Sequence, residues 1–355
     1  MSDFVRGWGS LRVQALSQSE VKFPVTERRR RVTATDVARS LGLSRATVGY
    51  VLNNTPGQSI PAATRERVMA EAARLGYRPH RAAQALASGR SMIILLVLPD
   101  WPMEHSLRQN LETASRLLDD AGYALVTYTR HEGGQARPLW ELLNPDVVIA
   151  WTSITAAERT SMQASGITKI LPVLQQERSA LASPTLTAGT HLQIHHLHEQ
   201  GHRRLAFATS VNERFSLLSQ GRAEAAREAA DRVGVDLLDV RPVDHRDGSV
   251  AEAVREWHAE GVTAVAAFND DIAAMTVAAA LRAGLSVPDD LAVIGHDDTP
   301  MASMLYPSLS SVSIDSVGLG RYLANQALHA AEDRPLPEAP PDLHAAIVVR
   351  ESTRR

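Results

Sequence analysis

The sequence predicts a chain of two structural kinds. An all-α head carries a helix-turn-helix, and a larger α/β body forms two lobes, each a parallel, doubly wound sheet. Three observations predict this. Two short helical patterns, Thr35–Leu41 and Ser44–Asn53, are separated only by Gly42 and Leu43, the tight Gly-containing break of a helix-turn-helix. From Met92 onward, apolar runs alternate with helical stretches, the order that builds parallel sheets. Charge divides at the same place. Glu27–Arg90 holds twelve arginines and four acidic residues, a surplus of eight positive charges, and residues 1–26 add one more. The whole chain carries −3, so residues 91–355 carry −12.

In the head, Val37, Ala38 and Leu41 make an apolar stripe, and Leu43, Val48, Val51 and Leu52 supply the facing one. Ser44 is placed to cap the second helix, since its hydroxyl can accept from an orphan backbone N–H. Arg45 and Ala46 then stand at the N-terminal end of that helix, where this motif meets base edges in the major groove. The outward positions Arg45, Ala46, Gly49, Tyr50 and Asn53 are small, polar or basic. Pro61 near its start and Gly76 past its end announce a third helix, with Val68, Ala72 and Leu75 as its apolar face. Residues 32–79 thus make a head near the lower size limit of a stable domain. Residues 80–90 read as hinge and linker. Residues 1–31, polar and ending in Arg28–Arg31, read as a disordered basic arm. Positive charge suits the head to phosphate contact, while the acidic body is repelled by DNA.

In the body, the apolar run from Met92 ends at Pro99 and reads as a buried parallel strand. Helical stretches at Arg108–Ala121, His191–Gln200, Gly221–Val233, Ala251–His258 and Asp271–Ala283 follow. They are interleaved with strands at Ala124–Tyr128, Val147–Trp151, Ile167–Val173, Arg204–Ala208, Ala264–Phe268 and Ala292–Gly295. Residues 91–355 are too many for one such sheet. Two lobes fit better, 91–187 with 312–332 and 188–311 with 333–355, enclosing a cleft at the carboxyl ends of the strands. Trp101, Trp151, Asn269 and Asp297 lie just after strands and are the candidate ligand-binding residues. Asp270 and Asp298 serve equally well as caps of the helices that follow.

Several function classes are excluded. The chain has no cysteine, so it has no disulfide framework, thiolate metal site or Cys nucleophile. No apolar run approaches the about twenty residues of a membrane span, and the start lacks a signal-peptide core. A cytoplasmic protein without a membrane partner is expected. His191, His195, His198 and His202 have helical spacing, but no carboxylate or cysteine completes a metal set, so they read as a helix face. No phosphate loop, nucleophile elbow or carboxylate pair stands out, and Gly318-Leu319-Gly320 is too short a signal to count. Neither an enzyme nor a cofactor is expected. The body alone would suit a solute-binding protein, but the head decides for a DNA-binding regulator.

The segments TDVARSLGLSRATV, TRERVMAEAARLGYRPHRAAQALASGRS, EQGHRRLAF, AFNDDIAAMTVAAALRAGLSVPDDLAVIGHDD and IVVREST carry a resemblance. In these segments and their order, Val32–Thr353 resembles the lac repressor (LacI/GalR) family of bacterial transcription regulators. The resemblance implies a helix-turn-helix head, a hinge helix and a body like a periplasmic binding protein. It implies a homodimer on a palindromic double-stranded operator, most often as a repressor, controlled by a small molecule such as a sugar. By position, Arg45, Ala46, Gly49 and Tyr50 would lie on the base-reading surface. Thr35, Ser44, Thr47, Asn53, Thr64 and Tyr77 would hold phosphates. His80–Ala87, with His80 and Ala83, would be the hinge helix, and Leu86 the wedge that kinks the minor groove.

The departures from the family pattern are specific. Gly49-Tyr50 stands where Ser-Arg is usual, and Arg commonly reads guanine with two hydrogen bonds. The loop Thr55–Ile60 is two residues longer than in many members. In the cleft, Leu218 replaces the usual sugar-clamping Arg, although Arg214 and Arg222 lie near. Pro102-Met103-Glu104-His105 replaces Asn-Pro-Phe-Phe, and the Val-Asp expected near Pro184–Thr187 is missing. These changes predict an altered operator, and they leave open whether the effector is a sugar or another small metabolite, or the pocket vestigial.

Overall fold

The computed structural model describes residues 32–53, 55, 57–77, 90–131, 134–172, 184–332, 334 and 345–354. The basic arm, and the hinge with His80, Ala83 and Leu86, lie outside them. The chain divides into two compact units, Met1–Gln84 and Ala85–Arg355.

The first unit is a bundle of α1 (Ala34–Leu41), α2 (Arg45–Leu52) and α3 (Ala62–Arg74). α1 starts one residue before the expected Thr35, because Thr33 and Asp36 form a reciprocal capping box. Gly42 ends it in the left-handed region at φ 65°, a conformation that a side chain disfavours. α2 starts where expected, with the Ser44 hydroxyl accepting from the Thr47 N–H at 3.0 Å. Pro61 precedes the first residue of α3. Val37, Ala38, Val48, Val51, Val68 and Ala72 are buried together, with Leu41, Leu43, Leu52 and Leu75 packed around them. Ser40 donates to Glu71, which also pairs with Arg74, tying α1 to α3.

The second unit holds two sheets. The first has the order β2-β1-β3-β4 and is parallel throughout: β1 (Ile93–Leu98), β2 (Ala124–Thr129), β3 (Val147–Ala150) and β4 (Ile170–Pro172). Helices α4 (His105–Asp120), α5 (Leu139–Leu143) and α6 (Ala156–Ala164) connect these strands. The second sheet has the order β10-β9-β8-β7-β5-β6. Its strands are β5 (Arg204–Ser210), β6 (Asp236–Val243), β7 (Ala264–Ala267), β8 (Ala292–His296), β9 (Ser310–Ile314) and β10 (Ala345–Val348), and only β10 runs antiparallel to its neighbour. Its helices are α7 (Pro184–Glu199), α8 (Ser216–Val233), α9 (Ser249–Ala259), α10 (Asp270–Arg282) and α11 (Pro300–Met304). The last helix, α12 (Ser316–Glu332), returns to pack on α4.

Central strands β1, β3, β7 and β8 are apolar runs buried on both faces, as parallel strands between helical layers must be. Edge strand β6 was not expected: its residues DLLDVRPV mix charges and a proline into a half-exposed pattern. The lobe boundaries shift slightly. All of β9 belongs to the second sheet, so the return to the first lobe falls after Ile314 rather than at 312. α7 packs against the second sheet through Ile194 and Leu197.

Gly320, which the sequence left without a role, has one in packing. A Cβ on Gly320 would come 2.4 Å from the Asn110 carbonyl oxygen, so only glycine lets α12 approach α4 this closely. That approach fixes Asn110, which faces the cleft.

Candidate DNA-reading face and effector cavity

On α2, Arg45 and Ala46 are exposed at the N-terminal end, and Tyr50 is 40% exposed one turn further on. Gly49 beside it has no atom within 4 Å of where a Cβ would stand, so the surface there is open. α2 has no acidic residue, and its free N-terminal N–H groups add positive potential. Ser44 and Thr47 hydroxyls lie 2.8 Å apart in the cap. Both hydroxyls are engaged in starting the helix. Thr35 and Asn53 are exposed, the latter as C-cap of α2. Thr64 is half-buried in the first turn of α3. Tyr77 packs partly against the head core, so its ring has a structural role.

In the second unit a cavity of about 120 Å³ opens between the lobes. Trp101, Trp151 and Asp297 line it, as expected. Asn269 does not. Its Oδ1 caps α10 through the Ile272 N–H at 3.0 Å, and its Nδ2 donates to Glu104 at 3.1 Å. The capping role considered for Asp270 therefore belongs to Asn269. Asp270 instead accepts from Ser311 and from the Thr299 N–H, and Asp298 pairs with Arg350 at 2.7 Å.

Other polar and aromatic groups also line the cavity: Glu104 and Arg222, which the sequence placed near the cleft without a role, and Asn110, Phe215 and His296, which it did not single out. Two of them carried a signal. Asn110 lies on the apolar stripe Leu107, Ala114, Leu118 of α4, and Arg222 on the alanine face Ala226, Ala229, Ala230 of α8. A polar residue on a core-facing stripe must be answered by something. Arg222 is 7% exposed, donates to the Phe268 carbonyl and lies 4.7 Å over the Phe268 ring.

Electrostatics in the cavity are strained. Burial pushes the Glu104 carboxyl up to about 7, Asp297 adds to this, and the Asn269 amide and Arg222 oppose it. Burial would also raise Asp297, but the His296 ring at 2.9 Å, Arg222 and Ser106 hold it down at about 2. Burial depresses both His296 and Arg222. Asp297 is held at φ 96°, a conformation costly for a residue with a Cβ and most often found at functional sites. Among the described residues, contacts bridge the lobes around the cavity: Ser106 to Asp297 at 3.2 Å, Asn269 to Glu104, and Arg214 to Asp100 at 2.6 Å. Arg214 thus pairs across the lobes outside the cavity lining, while Arg222 lines it.

Residues 33–80 match the family Bacterial regulatory proteins, lacI family, and residues 194–353 match the Periplasmic binding protein-like domain. The chain belongs to the LacI family. The regulator DegA of Bacillus subtilis strain 168 is 28% identical over 344 residues, covering 91% of this chain and 98% of that protein. GalR of Escherichia coli K12 is 29% identical over 324 residues, covering 86% and 91%. A crystal structure of the lac repressor dimer bound to operator and the anti-inducer ONPF shares the fold, with a TM-score of 0.73 at 24% identity over 91% of this chain and 99% of that one. As a LacI-family member the chain is a DNA-binding transcriptional regulator with a small-molecule-binding body. These relatives are regulators rather than enzymes. Among the described residues, no helix is long and apolar enough to cross a membrane.

Proposed function

We propose that the protein is a homodimeric repressor whose α2 reads a palindromic operator and whose interlobe cavity takes the controlling small molecule. The observation that carries the reading is the surface of α2. Arg45, Ala46 and Tyr50 form an exposed, acid-free face on a helix whose ends and core are fully specified by capping and packing. Arg45 is the base-reading cation, Tyr50 offers a ring and one hydroxyl in place of a guanidinium, and Ser44, Thr47, Thr35, Asn53 and Thr64 set register on phosphates. The hinge role of His80, Ala83 and Leu86 rests on the resemblance of the sequence.

Control follows from the position of the cavity. Its polar groups come from both lobes, Glu104 and Asn110 from one and Arg222 and Asp297 from the other. A ligand that bridges them favours one lobe arrangement over another, and that preference is the free energy available to change operator affinity. Coupling of this kind is reciprocal, so operator must change ligand affinity by the same factor. A gel shift with the DNA upstream of the protein's own gene tests the reading. Specific retardation that Arg45→Ala reduces at least tenfold is expected. Equal retardation of unrelated DNA by both proteins would contradict it.

A further inference from the structure

The chemistry of the cavity narrows its ligand, given the reading above that this cavity is the effector site. Much of its wall is apolar: Trp101, Leu107, Trp151, Phe215, Leu218 and Leu319. Set into that wall are buried polar atoms with no partner, namely Nε1 of Trp151, Nε of Arg222, and Nδ2 and Oδ1 of Asn110. Asn110 is 1% exposed and Arg222 7%, so water does not satisfy them freely. An unmade hydrogen bond at a buried group costs free energy that a ligand can recover.

The unpartnered atoms are unbalanced. Three are N–H donors and one is an acceptor. The carboxylates on the same cavity are already engaged, Asp297 by Ser106 and His296, and Glu104 by Asn269. Arg222 is buried, donates to a backbone carbonyl and, among the described residues, forms no ion pair, although the Asp297 and Glu104 carboxylates act on its charge from nearby. A sugar brings one O–H to be accepted for nearly every oxygen it offers. A carboxylate offers acceptors only. A cavity of about 120 Å³ limits the ligand to a small molecule.

We propose that the effector is a small monocarboxylic acid with an apolar, aromatic body. Its carboxylate accepts from Arg222, the Trp151 indole and the Asn110 amide, and its body lies against Trp101, Phe215 and Leu218. Aromatic walls suit a flat ring through offset or edge contacts. A carboxylate on a guanidinium in a dry site makes a charge-assisted hydrogen bond, stronger than any neutral oxygen can make.

The test is a titration of the full-length protein by tryptophan fluorescence and calorimetry. The probes are benzoate, phenylacetate, 3-phenylpropionate, phenylacetamide, phenethylamine and galactose. At least one carboxylate is expected to saturate the protein and to bind ten times or more tighter than phenylacetamide, with no saturation by phenethylamine. Arg222→Met should erase the preference of carboxylate over amide. Since Arg222 also ties α8 to the Phe268 carbonyl, Trp151→Phe is the second variant. It removes one donor and should weaken the carboxylate severalfold at unchanged thermal unfolding. Binding of the amide or amine as tight as the acid, or no saturation by any carboxylate at millimolar concentration, overturns the proposal. Galactose that saturates the wild type and is lost in Trp151→Ala overturns the carboxylate but leaves the cavity as the effector site. Ligand binding that survives both Trp101→Ala and Trp151→Ala overturns both readings.

Discussion

At the scale of single residues, the two glycines Gly49 and Gly320 are opposites. Nothing lies near a Cβ on Gly49, so Gly49→Ala should raise the stability of α2 by up to about 1 kcal/mol through lower chain entropy. A Cβ on Gly320 meets a backbone carbonyl at 2.4 Å, so Gly320→Ala should cost about 1–3 kcal/mol. Urea unfolding of the two variants measures both, and similar values for the pair would contradict the packing described between α4 and α12. Glu104 gives a pH signature. Its carboxyl titrates near 4.5 when exposed and is pushed up to about 7 in the fold, where it faces Asp297, Asn269, Arg222 and Asp271. The folded state then holds the proton more tightly than the unfolded state. Stability should fall as pH rises from about 4.5 to about 7, by on the order of a few kcal/mol, and level off above. Asp270, raised to about 6, acts in the same direction. Asp297 acts oppositely but below the 3.8 of a free carboxyl, outside this window. Calorimetric melting of Glu104→Gln should show a flatter profile between pH 5 and 7 than the wild type. An unchanged slope would remove Glu104 as its cause.

At the scale of elements, what the sequence revealed depended on how local the cause was. α2 begins and ends where its residues dictate, because Ser44 and the apolar stripe are local facts. α1 was misplaced by one residue because the Thr33–Asp36 box lies just before the pattern that drew attention. Buried strands such as β1 and β8 were legible as apolar runs, whereas β6 was not, since DLLDVRPV mixes charges and a proline into the strand. The cavity was half legible. Trp101, Trp151 and Asp297 follow strands and obey the rule that ligands sit at strand ends. Asn110 and Arg222 come from helices, and only the pairing of lobes brings them to the same space. Asn269 follows a strand too, but its side chain is consumed by the helix it starts. Thr33→Ala should cost about 1 kcal/mol by removing the cap of α1, read from the unfolding of the head, and no loss would mean that packing alone sets the start of α1.

At the scale of the whole molecule, charge and architecture divide together. The first 90 residues carry a surplus of nine positive charges, and the remaining 265 carry −12. That division confines DNA to the head and makes binding depend on released counterions. On the proposed reading, the cavity, built from both lobes, acts on DNA through lobe arrangement, as a coupling between two sites. Selection of bound duplexes from random DNA by the full-length protein, followed by titration of the selected sequence at 50 and 200 mM salt, tests the central claim most directly. Enrichment of an inverted repeat is predicted, bound at least roughly a hundredfold more weakly at the higher salt. A pool that stays random, or binding that salt leaves unchanged, would contradict the assignment of the α2 surface as the reader of an operator.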